Sequence, residues 1–179
     1  ATELGGLTTS VIDQLSVTRV AAMTTTQLRG LAATQVAELS ADQLAGLDTT
    51  QISGLGAGQI RGLTATAMND LSATQLASLT SSQIGWLTTS AAQALNETQI
   101  AALSTTQITG LATTQLTTLA TTAIGALSES ELAALSTTQL RSLTSTAIGA
   151  LSTTQVAALT TAQLAALTPT QMKGFGEDA

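Results

Sequence analysis

An apolar residue stands at every eighth position of this chain, from Leu7, Leu15, Met23 and Leu31 through to Leu151, Leu159, Leu167 and Phe175, without a miss. Between these 22 anchors lie 21 octads, which account for nearly all of the 179 residues. A typical unit is Leu103-Ser104-Thr105-Thr106-Gln107-Ile108-Thr109-Gly110. Tandem repetition this strict describes a one-dimensional stack, in which each unit buries its apolar side only against its neighbours in the array. Architecture is therefore tightly constrained, and function only loosely.

Within the octad, with the anchor as position 1, each position has its own chemistry. Position 2 is Ser, Thr, Asp or Asn in 17 octads, the exceptions being Ala32, Gly56, Ala112 and Ala120. Position 5 is Gln in 14 octads and Glu131 in one more, and position 6 is Ile, Leu, Val or Met everywhere except Ala92. Ser/Thr-x-x-Gln is a capping box, in which each side chain satisfies a free backbone N–H at a helix start. Positions 1 and 6 are then N′ and N4, the two sites of a hydrophobic staple. Pro169 follows Thr168 and so falls at N1, where its missing N–H does least harm.

A start signal every eight residues limits each helix to about six or seven residues. One continuous helix is excluded on separate grounds, because eight residues at 100° each would make the apolar stripe drift by about 80° per octad. The expected fold is all-α: a solenoid of very short capped helices, one per octad. The alternative is a β-solenoid, favoured by the Thr, Ile and Val content. Positions 1 and 6 differ in parity, however, and a strand joining them would send one outward. The chain reads as a single elongated repeat domain over 1–179, with octads at 7–174 and 1–6 and 175–179 as terminal or junction segments.

Two patterns bear on how many octads make one superhelical turn. Gly30, Gly46, Gly62, Gly110 and Gly174 at position 8 share one phase of a 16-residue period, with Gly54 the exception and Glu38, Asp70, Trp86 and Thr118 in the other phase. The Gln-lacking octads at Arg19, Ala67 and Ala91 are instead spaced by multiples of 24, as are Ala123 and Ala147. The expectation taken from these is two octads per turn, a rod of about 90–100 Å with layers roughly 9 Å apart; three per turn would give about 60–70 Å.

Composition removes many functions. Aromatic residues are 1% and charged residues 9%, so the core is aliphatic and the surface is Thr, Ser and Gln. A net charge of −6 with five scattered basic residues argues against nucleic acid, because neutralising phosphates takes Lys and Arg. No apolar run approaches the roughly 18–20 residues of a membrane span, so no membrane insertion is expected. With no His, Cys or Tyr, no catalytic, cofactor-binding or metal-binding residue is assigned and no small-molecule substrate is evident. Glu129 and Glu131 read as first-turn helix residues, Glu177 and Asp178 as a solvated tail. Leu55-Gly56-Ala57-Gly58-Gln59 reads as a loosened octad.

Trp86, at position 8, is expected to cover a local groove, with a partner anchor as the sharper reading. It and Phe175 are the candidate interaction residues. Gly5-Gly6, Val11-Ile12-Asp13-Gln14 and Lys173-Gly174-Phe175 depart from the consensus at the two ends, as caps or as contacts that join subunits.

Units such as Leu151-Ser152-Thr153-Thr154-Gln155-Val156-Ala157-Ala158 resemble octapeptide arrays of very large bacterial secreted or surface proteins. The resemblance covers residues 7–175. It implies an extracellular or cell-surface spacer, adhesin stalk or filament segment. The missing residue types add that the chain is not an enzyme, and a stack that exposes apolar anchors at its terminal layers is expected to self-associate end to end, with flanking regions of a longer chain as the other partner. A surface-binding module for glycan, a cell surface or ice, through the repeated Thr/Ser/Gln face, is the alternative.

Overall fold

The computed structural model describes residues 4–175. A 3-10 turn over Leu4–Gly6 leads into 21 α-helices, one per octad, from α1 (Thr9–Asp13), α2 (Val17–Ala21) and α3 (Thr25–Arg29) to α19 (Thr153–Ala157), α20 (Thr161–Ala166) and α21 (Pro169–Gly174). Each helix has four to six residues, and no strand occurs among the described residues.

The helices begin where capping requires. In α13 (Thr105–Thr109) the Ser104 hydroxyl accepts from the Gln107 N–H while Gln107 Oε1 accepts from the Ser104 N–H at 2.8 Å. Where position 2 is Ala or Gly and position 5 is Gln, only half of the box survives: Gln35 Oε1 still accepts from Ala32 N–H, and Gln115 Oε1 from Ala112 N–H, both at 2.6 Å. Pro169 stands in the first turn of α21, behind the Thr168 cap. Nearly every helix ends as the next anchor N–H bonds to the position 6 carbonyl, as in Leu111 N–H to Ile108 O at 3.1 Å. The chain then turns through extended position 2 and starts again.

Three octads, not two, make a turn. Every helix packs on the helix three places away: α4 (Ala33–Ala37) on α7 (Ala57–Gly62), α7 on α10 (Ser81–Trp86), α10 on α13, α18 (Ser145–Gly149) on α21. The rod thus has three files of seven helices and a length of about 60 Å at roughly 9 Å per layer. The 24-residue spacing was the true signal. Ala67 and Ala91 lie in the stacked helices α8 (Ala65–Asp70) and α11 (Thr89–Gln93), and Ala123 and Ala147 in the stacked α15 (Thr121–Gly125) and α18.

The glycines at position 8 record close approach rather than a two-octad period. A Cβ on Gly62 would run into the Ala33 carbonyl, one on Gly110 into the Ser81 carbonyl, and one on Gly174 into the Ser145 carbonyl. In each pair the partner is position 3 of the helix one turn earlier. At Gly46 and Gly54 the partners are the side chains of Val17 and Thr25 at the same offset.

The core is a continuous aliphatic column. Ile52, Ile60, Ile84, Ile100, Ile108, Ile124 and Ile148, all at position 6, are 0% exposed, and the interior anchors at position 1 are buried beside them. Burying such a side chain is worth roughly 1.5–3 kcal/mol, which offsets the cost of nucleating helices this short.

Candidate functional site

The buried polar groups are the feature that repeats throughout the described residues, and they are built from position 5. Of the 14 glutamines there, 12 are buried and Gln139 is half-buried. The capping box uses only one end of the carboxamide. The other end, Nε2, donates backward across the turn to the anchor carbonyl 28 residues earlier: Gln59 to Leu31 O at 2.6 Å, Gln75 to Leu47 O at 2.8 Å, Gln115 to Leu87 O at 2.7 Å. A second carbonyl, 30 or 31 residues earlier, accepts from the same nitrogen, as Ile84 O does from Gln115 at 3.0 Å and Ser53 O from Gln83 at 2.9 Å.

One side chain therefore starts its own helix and ties it to the two octads beneath. Buried carboxamides without partners would cost more than they contribute. Among the described residues no buried side-chain nitrogen or oxygen lacks a hydrogen bond. The capping half was legible in the Ser/Thr-x-x-Gln spacing. The backward half was not, and the weak 24-residue spacing of its absences was its one trace.

Glu131 stands in this ladder at 6% exposure. Its Oε2 accepts from Ser128 N–H at 2.7 Å and from the Ser128 hydroxyl at 2.8 Å, so the box is complete. A carboxylate has no donor for the carbonyl below. Glu129 is exposed, so the two carboxyls of this first turn face different surroundings.

The loosened octad keeps its box half, with Gln59 Oε1 accepting from Gly56 N–H at 3.1 Å. Trp86, the last residue of α10, is half-buried and packs against the core. By the register that sets position 8 of one helix against position 3 of the helix one turn earlier, it falls at the level of Ala57, the first residue of α7. Phe175 is also half-buried against the core. Its N–H bonds to Met172 O at 3.3 Å, as nearly every anchor does to its position 6 carbonyl. Glu177 and Asp178 lie outside the described residues.

The outer surface belongs to positions 2 to 4. In the file that runs from α3 to α21, position 4 is Thr at every turn, from Thr26, Thr50 and Thr74 through Thr98 and Thr122 to Thr146 and Thr170, all exposed. The other two files interrupt this position with Gly58, Asp42 or Ala162. A surface groove of about 640 Å³ is lined by Leu127, Ser128, Glu129, Ser152, Thr154 and Gln155. Three of its polar side chains are committed within the fold: Gln155 bonds to Ser152 N–H and Leu127 O, and Ser128 to Glu131, while Ser152 caps α19. No helix among the described residues is long and apolar enough to cross a membrane.

These features define a class: a tandem-repeat α-solenoid with three short capped helices to a turn, tied by buried glutamines. The family model for the ALTTAQ repeat matches residues 20–57, 124–161 and 148–176, together just over half of the chain. The chain belongs to the ALTTAQ repeat family. All three matches start at octad position 6, so the model keeps the phase read from the anchors. No curated protein and no solved structure matches the chain.

Proposed function

We propose that this chain is a non-catalytic structural rod, a spacer or stalk segment that holds its two ends a fixed distance apart and associates end to end, at a cell surface or outside the cell. The observation that carries this reading is the glutamine ladder. Its hydrogen-bonding capacity is turned inward and used to hold successive turns in register, which is the need of a stiff repeat rod. Placement outside the cell and the spacer role draw on the likeness of the octads to surface-protein arrays.

Small-angle scattering tests the rod. A three-file solenoid of this length has a radius of gyration of about 20 Å, against about 16 Å for a compact chain of 179 residues. The compact value would remove the proposal.

A second reading is favoured by the threonine file, which presents one exposed hydroxyl and methyl per turn along a single side. In that reading the rod binds a repetitive surface, such as a glycan or ice. Thermal hysteresis or glycan-array binding that is lost when Thr74 and Thr98 become Lys would support it; neither signal in the parent chain would dismiss it.

A further inference from the structure

We infer that Asn96 is an acceptor for an N-linked oligosaccharide, attached through its side-chain nitrogen on the way out of the cell. This rests on the placement of the rod outside the cell and states what that route does to it.

The chain has two asparagines, Asn69 and Asn96. Asn96-Glu97-Thr98 is Asn-x-Thr with no proline between, the triplet that an oligosaccharyltransferase recognises. Asn69-Asp70-Leu71 lacks the hydroxyl. Asn96 is also the one Asn at position 2 of an octad, a place held elsewhere by Ser, Thr, Asp, Ala or Gly.

The fold leaves this side chain half used. Asn96 is the N-cap of α12 (Glu97–Ala101), on extended backbone (φ −88°, ψ 172°) at the exposed corner that follows α11. Its Oδ1 accepts from Gln99 N–H at 2.9 Å, and its own N–H donates to Gln99 Oε1 at 3.1 Å. Gln99 Nε2 turns away to Leu71 O at 2.9 Å and Met68 O at 2.7 Å. The cap and the ladder are therefore complete without Asn96 Nδ2, which makes no hydrogen bond within the chain. The Thr98 hydroxyl is also exposed and unbonded.

A sugar on Nδ2 leaves Oδ1 on the cap. The hydroxyl caps do not have this freedom. At Ser104 one oxygen both accepts from Gln107 N–H and donates to Gln107 Oε1 at 2.9 Å, so an O-linked sugar there would remove the donor. Space is available at Asn96 too, because it opens on a surface groove of about 620 Å³. Ala73, Ala94, Ala120 and Thr122 line that groove, so a first sugar lies against small side chains.

The transfer draws on a polyisoprenyl diphosphate oligosaccharide. A bond forms between Nδ2 and the anomeric carbon, and that carbon's bond to the diphosphate oxygen breaks. The lipid diphosphate leaves with the electron pair, and the Nδ2 proton passes to a base of the transferase. Nothing is oxidised or reduced.

The test is mass spectrometry of the full chain recovered from the surface or medium of the cells that make it. Trypsin leaves Asn96 in the stretch between Arg61 and Arg141. That stretch is expected to carry the mass of an oligosaccharide, which a glycosidase that cleaves the side-chain amide removes, leaving Asp in place of Asn96. The treated chain should keep its melting temperature, because Asp48 caps α6 (Thr49–Ser53) by the same bond, its Oδ1 accepting from Gln51 N–H at 2.7 Å. Thr98→Ala touches no bond of the cap, and it is expected to abolish the modification without moving the melting temperature. An exported chain with Asn96 bare, or an oligosaccharide that survives Thr98→Ala, would overturn the acceptor site and leave the placement of the rod standing. A chain found only inside its cells would overturn both.

Discussion

At the scale of the residue, the carboxamide of glutamine is what makes eight residues sufficient. It offers an acceptor and two donors on one planar group, and the fold uses both ends. Gln107 shows the full set: Oε1 takes Ser104 N–H, and Nε2 reaches Leu79 O at 2.6 Å with Leu76 O and Ala77 O at 3.2 Å. Gln107→Ala removes these bonds and leaves the carbonyl of buried Leu79 unpaired, at a cost of about 1–3 kcal/mol. Gln27→Ala, exposed and without a carbonyl beneath it, should cost only about 0.5 kcal/mol through its half of the capping box. Equal losses for the two in urea denaturation would show that the backward bonds contribute nothing. The converse substitution, Glu131→Gln, restores a donor facing the turn below and is expected to stabilise by about 1 kcal/mol. A lower urea midpoint for that variant would contradict the ladder at this octad.

At the scale of the element, each helix is too short to exist alone and is defined by its ends and by the helix one turn away. The start of most helices could be read from the sequence, because capping is a local exchange between residues three apart. Ser104 and Gln107 announce it, and Pro169 confirms the phase. Three octads per turn was far less legible, because the contacts that set it join a glutamine to a backbone carbonyl more than a full turn back. A carbonyl belongs to every residue type, so Leu79 carries no mark of the Gln107 that reaches it. The glycines misled for a related reason: Gly62 and Gly110 answer the carbonyls of Ala33 and Ser81, whose identity leaves no trace at position 3. Trp86 was legible as an oddity at position 8, and its opposite number Ala57 only once the turn was known. The glycines also yield a test. Gly110→Ala drives a methyl into the Ser81 carbonyl and should destabilise by about 1–3 kcal/mol through overpacking. At Gly58 an added Cβ meets nothing within 4 Å, so Gly58→Ala should stabilise by about 0.4–1 kcal/mol through the unfolded chain. Thermal melts that move both variants the same way would contradict the layer spacing described here.

At the scale of the whole molecule, stability is a sum over turns rather than the property of one core. Each turn adds three helices, three position 6 side chains and up to three glutamine ties to the layer beneath, and it touches nothing further away. In such a nearest-neighbour array the free energy of unfolding grows with the number of units, less a constant for the two ends. Chains ending at Leu151 and at Leu127 each drop one further turn of three octads and keep a position 1 anchor as their last residue, as Phe175 is the last described residue here. The first removes Gln155, Gln163 and Gln171 together with the carbonyl bonds they make to Leu127, Leu135 and Leu143. The second removes α16 (Glu129–Ala134), α17 (Thr137–Ser142) and α18. Two of those three lack the glutamine, having Glu131 and Ala147 at position 5, so the second step should be the smaller loss. Because the surface exposed on unfolding falls with each turn, the denaturant m-value should decline in near-equal steps while stability declines in unequal ones. A chain ending at Leu151 that unfolds outright would mean that the layers cooperate as one domain. Two equal stability steps would mean that aliphatic packing alone, and not the glutamine at position 5, holds one turn to the next.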